Sequence, residues 1–256
     1  MSLPAVICDL DGVIYRGRQA MPGAASALHR LEAGGYPVVF VTNNSSRTPA
    51  QVAEKILIVM GVMVAPEAIL TSAMAAVSVL PEDAAKCMVI GGEGIIAAVT
   101  ESGRQIVTSG ADAVIVGIDQ QFDYAALTRA SDEIRHGALF VASNTDATFP
   151  VESGLLPGAG AIVAAVSTAS GVDPIKAGKP ELPMRNLIKA SGIESAWVIG
   201  DRLETDIALA EGEPDWTSIL VLTGVTDEKM NLESADHVVA DVESAVDLVF
   251  ATADRQ

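Results

Sequence analysis

Three short apolar runs in this chain stop abruptly in polar residues. Val6-Ile7-Cys8 leads into Asp9-Leu10-Asp11-Gly12, Tyr36 to Thr42 into Asn43-Asn44-Ser45-Ser46, and Ala196-Trp197-Val198-Ile199-Gly200 into Asp201. Short continuous apolar runs bounded by turn signals predict strands buried on both faces. Segments with helical spacing lie between them. Ala24, Leu28 and Leu31 follow Met21-Pro22-Gly23, and Val52, Ile56 and Val59 follow Thr48-Pro49-Ala50-Gln51, which matches a capping box. Buried strands alternating with helices build a parallel sheet with crossover connections. In such a sheet all carboxyl ends lie on one edge, where open α/β folds receive ligands, so polar groups remote in sequence converge there.

The middle of the chain has a different texture. From about Pro81, Lys86 to Ile90, Ala113 to Gly117 and Ala138 to Ala142 read as strands, and Phe122 to Ile134 as a helix. A glycine-rich stretch, Gly154 to Gly160, precedes a small-residue helix from Ala161 to about Ser170. The earlier style resumes near Ala177-Gly178-Lys179-Pro180. A helix carrying Leu187 and Ile188 follows, then the strand ending at Asp201, a helix opened by Asp201 to Asp206, strands at Ser218 to Leu222 and Asp236 to Val239, and a closing helix. The expected architecture is α/β: a Rossmann-like parallel-sheet core from residues 1–80 and 177–256, with an α/β cap domain, 81–176, inserted into it.

Charge narrows the function. A formal net charge of −17 over 256 residues leaves no basic patch to displace counterions from a phosphate backbone, so a nucleic-acid partner is not expected. The same acidity repels a phosphorylated metabolite, which therefore needs a local cation, either a divalent metal or a placed lysine. Cys8 and Cys87 form no disulfide framework, and Met1-Ser2-Leu3-Pro4 runs directly into the first strand, so a cytoplasmic location is expected. The most apolar window, Leu155 to Val166, is broken by Pro157, Gly158 and Gly160 and falls short of the ~20 residues of a membrane helix.

The predicted sheet edge would gather Asp9 and Asp11, Thr42 and Asn43, Lys179, and Asp201 with Asp206. Carboxylates, a hydroxyl, an amide and a lysine suit phosphoryl transfer through an aspartyl-phosphate. Oxygen ligands from Asp9 and Asp201 favour Mg2+, which keeps several waters and takes one or two protein carboxylates plus substrate phosphate. Thr42, Asn43 and Lys179 would hold the phosphoryl oxygens as charge redistributes. Acids at i and i+2 permit a division of labour: Asp9 attacks phosphorus, while Asp11 protonates the leaving oxygen and then takes a proton from the hydrolytic water. Gly12 leaves room for backbone beside the phosphate.

Four segments together resemble the signature motifs of the haloacid dehalogenase superfamily, and more narrowly its NagD-like, 4-nitrophenylphosphatase-type phosphatases of subclass IIA. They are Asp9-Leu10-Asp11-Gly12-Val13, Val41-Thr42-Asn43-Asn44-Ser45, Gly178-Lys179-Pro180 and Gly200-Asp201-Arg202-Leu203-Glu204-Thr205-Asp206. All four occur in order, with a large insertion between the second and third, where that subclass carries its α/β cap. The resemblance implies Asp9 as nucleophile, Asp11 as general acid/base with its backbone carbonyl on the metal, Thr42 and Lys179 as phosphate binders, Asp201 as a metal ligand and Asp206 as its support. It also places Asn43 close to the phosphate, with Asn44 in the same segment. The implied function is an Mg2+-dependent phosphatase of a small phosphomonoester such as a sugar phosphate or nucleotide. A phosphomutase or phosphotransferase would use the same groups. So would a phosphoacceptor signalling domain, although a built-in hydrolytic base such as Asp11 argues against a long-lived phosphate.

Asn144-Thr145-Asp146, after the last cap strand, is the candidate for substrate contact from the cap, through Asn144 and Asp146; alternatively it is a turn. An apolar cap surface is compatible with a homodimer. Val89-Ile90-Gly91-Gly92-Glu93-Gly94-Ile95-Ile96-Ala97 imitates a dinucleotide fingerprint, but Asp112, the acid at the right spacing, precedes the next strand instead of ending it. A tight turn into a helix is the better reading. Asn43-Asn44-Ser45 matches a glycosylation acceptor by accident, and His29, His136 and His237 lack ligand spacing.

Overall fold

The computed structural model describes residues 3–151, 154–224, 226 and 232–253. Met1 and Ser2 of the amino-terminal tetrapeptide lie outside them. The chain begins with β1 (Ala5–Cys8), buried at all four positions, because an unbroken apolar tetrapeptide has no polar face to offer water. A tight turn follows, then a small antiparallel hairpin, β2 (Tyr15–Arg16) with β3 (Gln19–Ala20), and α1 (Ala24–Ala33). Next come β4 (Val38–Thr42), α2 (Pro49–Met60) and the short β5 (Ile69–Thr71). The capping box forms as expected: Gln51 N–H donates to Thr48 Oγ1 at 3.2 Å, and Thr48 N–H donates to Gln51 Oε1 at 3.0 Å.

The chain continues through α3 (Ser72–Ser78), β6 (Lys86–Ile90), α4 (Glu93–Glu101), β7 (Gln105–Ile106), β8 (Ala113–Val116), α5 (Tyr124–Arg135) and β9 (Leu139–Ala142). The hairpin β10 (Thr148–Val151) and β11 (Gly154–Pro157), α6 (Ala159–Ser170), β12 (Ile175–Lys176) and α7 (Leu182–Ala190) follow. The chain then returns through β13 (Ala196–Gly200), a π turn at Leu203–Ile207 continued by α8 (Ala208–Ala210), β14 (Trp216–Val221), β15 (His237–Val239) and α9 (Val242–Ala253).

By contacts the chain divides into two compact units, residues 1–42, 52–70 and 188–256 in the first and 43–51 and 71–187 in the second. The first holds a six-stranded sheet in the order β15-β14-β13-β1-β4-β5. Val6, Cys8, Phe40, Ile199 and Ile219 of its strands share a buried core with Leu28 and Leu31 of α1 and Val246 and Val249 of α9. The second holds a five-stranded sheet, β12-β9-β8-β6-β7, with parallel pairing throughout. Val114, Val116 and Phe140 there pack with Ala130 and Ile134 of α5 and Val163 and Val166 of α6. The α/β architecture is thus as expected, with two local corrections. Gly154–Pro157 of the glycine-rich stretch pairs with Thr148–Val151, and α6 starts at Ala159, ahead of the expected Ala161. The turn after Asp201 is wound as a π turn and not as the start of a regular helix. Strands β5, β7 and β12 have two or three residues each, too few to show a period.

Candidate active site

In the first unit β1 sits mid-sheet. Sequence-adjacent connections run outward from it to β4 and β5 on one side, while β13, β14 and β15 lie on the other. The gap at the carboxyl ends of β1 and β13 is therefore the topological switch point, where diverging connections leave a crevice. Cys8 is in register with Ile199 on β13 and with Phe40 on β4, and Asp9 N–H extends the ladder by donating to the Ile199 carbonyl at 2.9 Å. Asp9, Thr42 and Asp201 are thereby delivered to one edge. Asp9, Asp201 and Asp206 each offer an oxygen, and the three lie within 4.8 Å of one another. Asp201 and Asp206 are 1% and 2% exposed, and Thr42 is 3% exposed. Three carboxylates this close repel strongly in a poorly hydrated site unless a cation joins them, and an all-oxygen donor set fits a hard divalent ion.

Asp206 also shapes this corner. Its Oδ2 accepts from the backbone N–H groups of Asp201 and Arg202, both at 3.1 Å. Arg202, not Asp201, occupies the cap position of the π turn. The carboxylate that satisfies the orphaned amides thus comes from inside the turn, which leaves Asp201 to face the cluster. Gly12 adopts φ 97°, and a Cβ there would lie 2.6 Å from Asp201 Oδ2. The glycine after the acid pair makes room for a carboxylate of the protein itself.

Asp11 points to a neighbour the sequence did not single out. Lys55 Nζ, on α2, stands 3.5 Å from Asp11 Oδ1 and 3.5 Å from the centroid of the Tyr15 ring. Gly12 N–H donates to the Tyr15 carbonyl at 2.8 Å, which closes the turn carrying the acid pair. No periodic or motif signal distinguishes Lys55 from other helix-surface lysines.

In the second unit Asn43 is a hub. Its Oδ1 accepts from Lys179 N–H at 2.7 Å, and its Nδ2 donates to the Lys179 carbonyl and to both carboxylate oxygens of Asp146, each at 3.2 Å. Its own carbonyl accepts from Ser72 Oγ at 2.6 Å and Asn144 Nδ2 at 2.7 Å. Asn144 Oδ1 in turn receives Asp146 N–H at 3.1 Å. Asn144 and Asp146 are thus brought to Asn43 and Lys179. Asn44 is occupied locally, its Oδ1 accepting from Ser46 N–H at 3.0 Å and Ser46 Oγ at 2.6 Å. Ser143 Oγ donates to Ser45 Oγ at 2.9 Å, a contact the sequence did not announce.

The glycines of the apparent dinucleotide fingerprint have another use. Gly92 caps α4, and Gly94 N–H donates to the Ser46 carbonyl at 3.2 Å. A Cβ on Gly92 would sit 2.8 Å from the Ser46 carbonyl, and one on Gly94 2.6 Å from that of Ser45. They serve close backbone packing. Cys8 and Cys87 are both buried thiols outside any disulfide, and burial pushes the Cys87 thiol above its ordinary pKa, so it stays neutral near pH 7.

Comparison with known proteins extends the geometry. A family profile described as haloacid dehalogenase-like hydrolase matches residues 6–105, and a second, HAD-hydrolase-like, matches 176–245. The acid sugar phosphatase of Staphylococcus aureus is 39% identical over 209 residues, 79% of this chain and 80% of that one. Among solved structures, glycerol phosphate phosphatase Rv1692 from Mycobacterium tuberculosis in complex with magnesium aligns with a TM-score of 0.86 and 34% identity, covering 95% of this chain and 76% of that one. NagD from Escherichia coli aligns at 0.82 and 31%, covering 95% and 98%.

Proposed function

The chain belongs to the haloacid dehalogenase-like hydrolases, within their NagD-like phosphatase branch, and we propose that it hydrolyses a small sugar or polyol phosphomonoester through an aspartyl-phosphate on Asp9 with bound Mg2+. The observation that carries this reading is the convergence of Asp9, Asp201 and Asp206 at the switch point of the six-stranded sheet, beside the strand that ends in Thr42. The substrate class follows the relatives, one an acid sugar phosphatase and another a glycerol phosphate phosphatase.

Asp9, Asp201 and the backbone carbonyl of Asp11 would hold the metal, with Asp206 supporting Asp201. When bound, Mg2+ offsets the repulsion between carboxylate and phosphate dianion. Asp9 Oδ attacks phosphorus as the bond to the ester oxygen breaks, and Asp11 gives that oxygen a proton. Water then attacks the acyl-phosphate, Asp11 takes its proton, and inorganic phosphate leaves with Asp9 regenerated. Thr42 and Lys179 bind the phosphoryl oxygens, and the 2.7 Å bond from Lys179 N–H to Asn43, the residue after Thr42, supports that assignment. Segment 81–176 is the cap that selects the leaving group, and residues 1–80 and 177–256 the catalytic core. The net charge of −17 supports a small-molecule substrate over a nucleic acid, and no helix among the described residues is long and apolar enough to cross a membrane.

The test is a panel of phosphorylated sugars, polyols and nucleotides assayed for phosphate release with Mg2+, beside Asp9→Asn. Release confined to the unaltered protein and dependent on metal is expected. Undiminished release by Asp9→Asn would overturn the nucleophile assignment, and phosphoryl transfer to a sugar hydroxyl in preference to water would make the protein a phosphotransferase.

A further inference from the structure

Leu222, Thr223 and Gly224, directly after β14, carry no acid, yet this stretch lies between the two acid-bearing turns. Thr223 Oγ1 donates to the Gly12 carbonyl at 2.7 Å. Arg16, on β2, donates from Nη2 to the carbonyls of Thr223 at 2.6 Å and Gly224 at 3.3 Å. Thr226 N–H donates to the Asp201 carbonyl at 3.3 Å. Gly224 packs so tightly on Asp201 that a Cβ added to it would overlap the carboxylate, and a Cβ on Gly12 would lie 3.2 Å from the Gly224 Cα. One face of the Asp201 carboxylate is therefore walled by two glycine backbones, and two side chains from different elements tie those backbones together.

We propose that Arg16 and Thr223 are positioning residues of the metal centre. Thr223 fixes the Gly12–Val13 peptide, while the bond from Gly12 N–H to the Tyr15 carbonyl holds the peptide before it, and the two together limit how far the Asp11 carbonyl can turn. Arg16 holds the 223–224 backbone against Asp201, which restricts the carboxylate to one orientation. Neither side chain need touch metal or substrate. Pre-orienting two ligands from different turns lowers the entropy lost when the ion binds, which is how groups behind metal ligands come to matter for affinity. This inference rests on the proposed assignment of Asp201 and the Asp11 carbonyl as ligands.

The experiment measures Mg2+ affinity by calorimetric titration in the absence of substrate, on the unaltered protein, Thr223→Val, Thr223→Ser, Arg16→Met and Asp201→Asn. Thr223→Val preserves shape but removes the donor, and a weakening of about tenfold or more is expected, the scale set by outer-shell partners of metal ligands elsewhere. Thr223→Ser keeps the hydroxyl and restores most of the affinity, and Arg16→Met falls on the weak side. Circular dichroism of the metal-free proteins identifies any variant that does not fold, and Arg16→Met, altered at an exposed side chain, then carries the test. Affinity unchanged within about twofold in Thr223→Val and Arg16→Met, with Asp201→Asn impaired, overturns this inference alone. Unchanged affinity in Asp201→Asn overturns the ligand assignment beneath it.

Discussion

Asn43 brackets the backbone of Lys179, accepting from its N–H at 2.7 Å and donating to its carbonyl at 3.2 Å, across 136 residues of sequence. Both ends of one amide are thereby committed to a single residue, and the same Nδ2 also reaches Asp146. Lys179, which is 5% exposed, is held by its main chain, so Asn43 sets the origin from which its side chain extends.

Asn43→Ala should therefore lower turnover through Lys179 and cost about 1–3 kcal/mol for each buried polar group left unpaired. Asn43→Asp should be worse, because it removes the Nδ2 donor and sets a second carboxylate against Asp146. Steady-state kinetics and thermal denaturation of the two variants decide this, and equal effects would count against it.

Lys55 stands between Asp11 and the Tyr15 ring, where its ammonium restrains the Asp11 carboxylate. Lys55→Met should reduce kcat/KM by about tenfold for an alkyl phosphate, whose leaving oxygen needs a proton, a fraction of the ~10²–10⁴ available from acid catalysis. For 4-nitrophenyl phosphate, which leaves readily unprotonated, the loss should be much smaller. A uniform loss would assign Lys55 a merely structural part.

Asp206 accepts two backbone N–H groups at the mouth of the π turn. Asp206→Ala should destabilise the protein by about 2–4 kcal/mol, since both donors lose their acceptor. Asp206→Asn keeps an acceptor oxygen and should cost clearly less, as read from denaturant midpoints.

Gly12 combines φ 97° with the nearby Asp201 Oδ2. Gly12→Ala meets both a left-handed backbone penalty and a collision, and should cost about 1–3 kcal/mol from the backbone conformation alone. Its Mg2+ affinity should also fall, because the displaced carboxylate is a proposed ligand. Paired melting curves with and without metal test both effects.

Mg2+ should raise the melting temperature in a concentration-dependent way, because an ion that binds only the folded cluster stabilises it by mass action. EDTA should reverse the gain, and Asp201→Asn should show little of it. A gain that survives in that variant would place the ion elsewhere.

The carboxyl ends of β1, β4 and β13 and the capping box of α2 could be read in the sequence because each is a local pattern. Apolar residues record burial, and Thr48 with Gln51 records a helix start within four positions. The common edge of Asp9, Thr42 and Asp201 followed from topology alone, since parallel strands share a direction. The tiny strands β7 and β12 left no such trace, and the hairpin of β10 and β11 was hidden behind its glycine and prolines.

By itself the sequence determined an α/β chain with acids at strand ends. Only the tertiary structure decided which polar groups meet. It put Asn144 and Asp146 on Asn43, Lys55 beside Asp11, Asp206 beneath the Asp201 amide, and Thr223 on Gly12 across 211 residues. The physical reason is that burial leaves a periodic record along the chain, whereas a hydrogen bond depends on separation and angle in space, which carry no periodic signature.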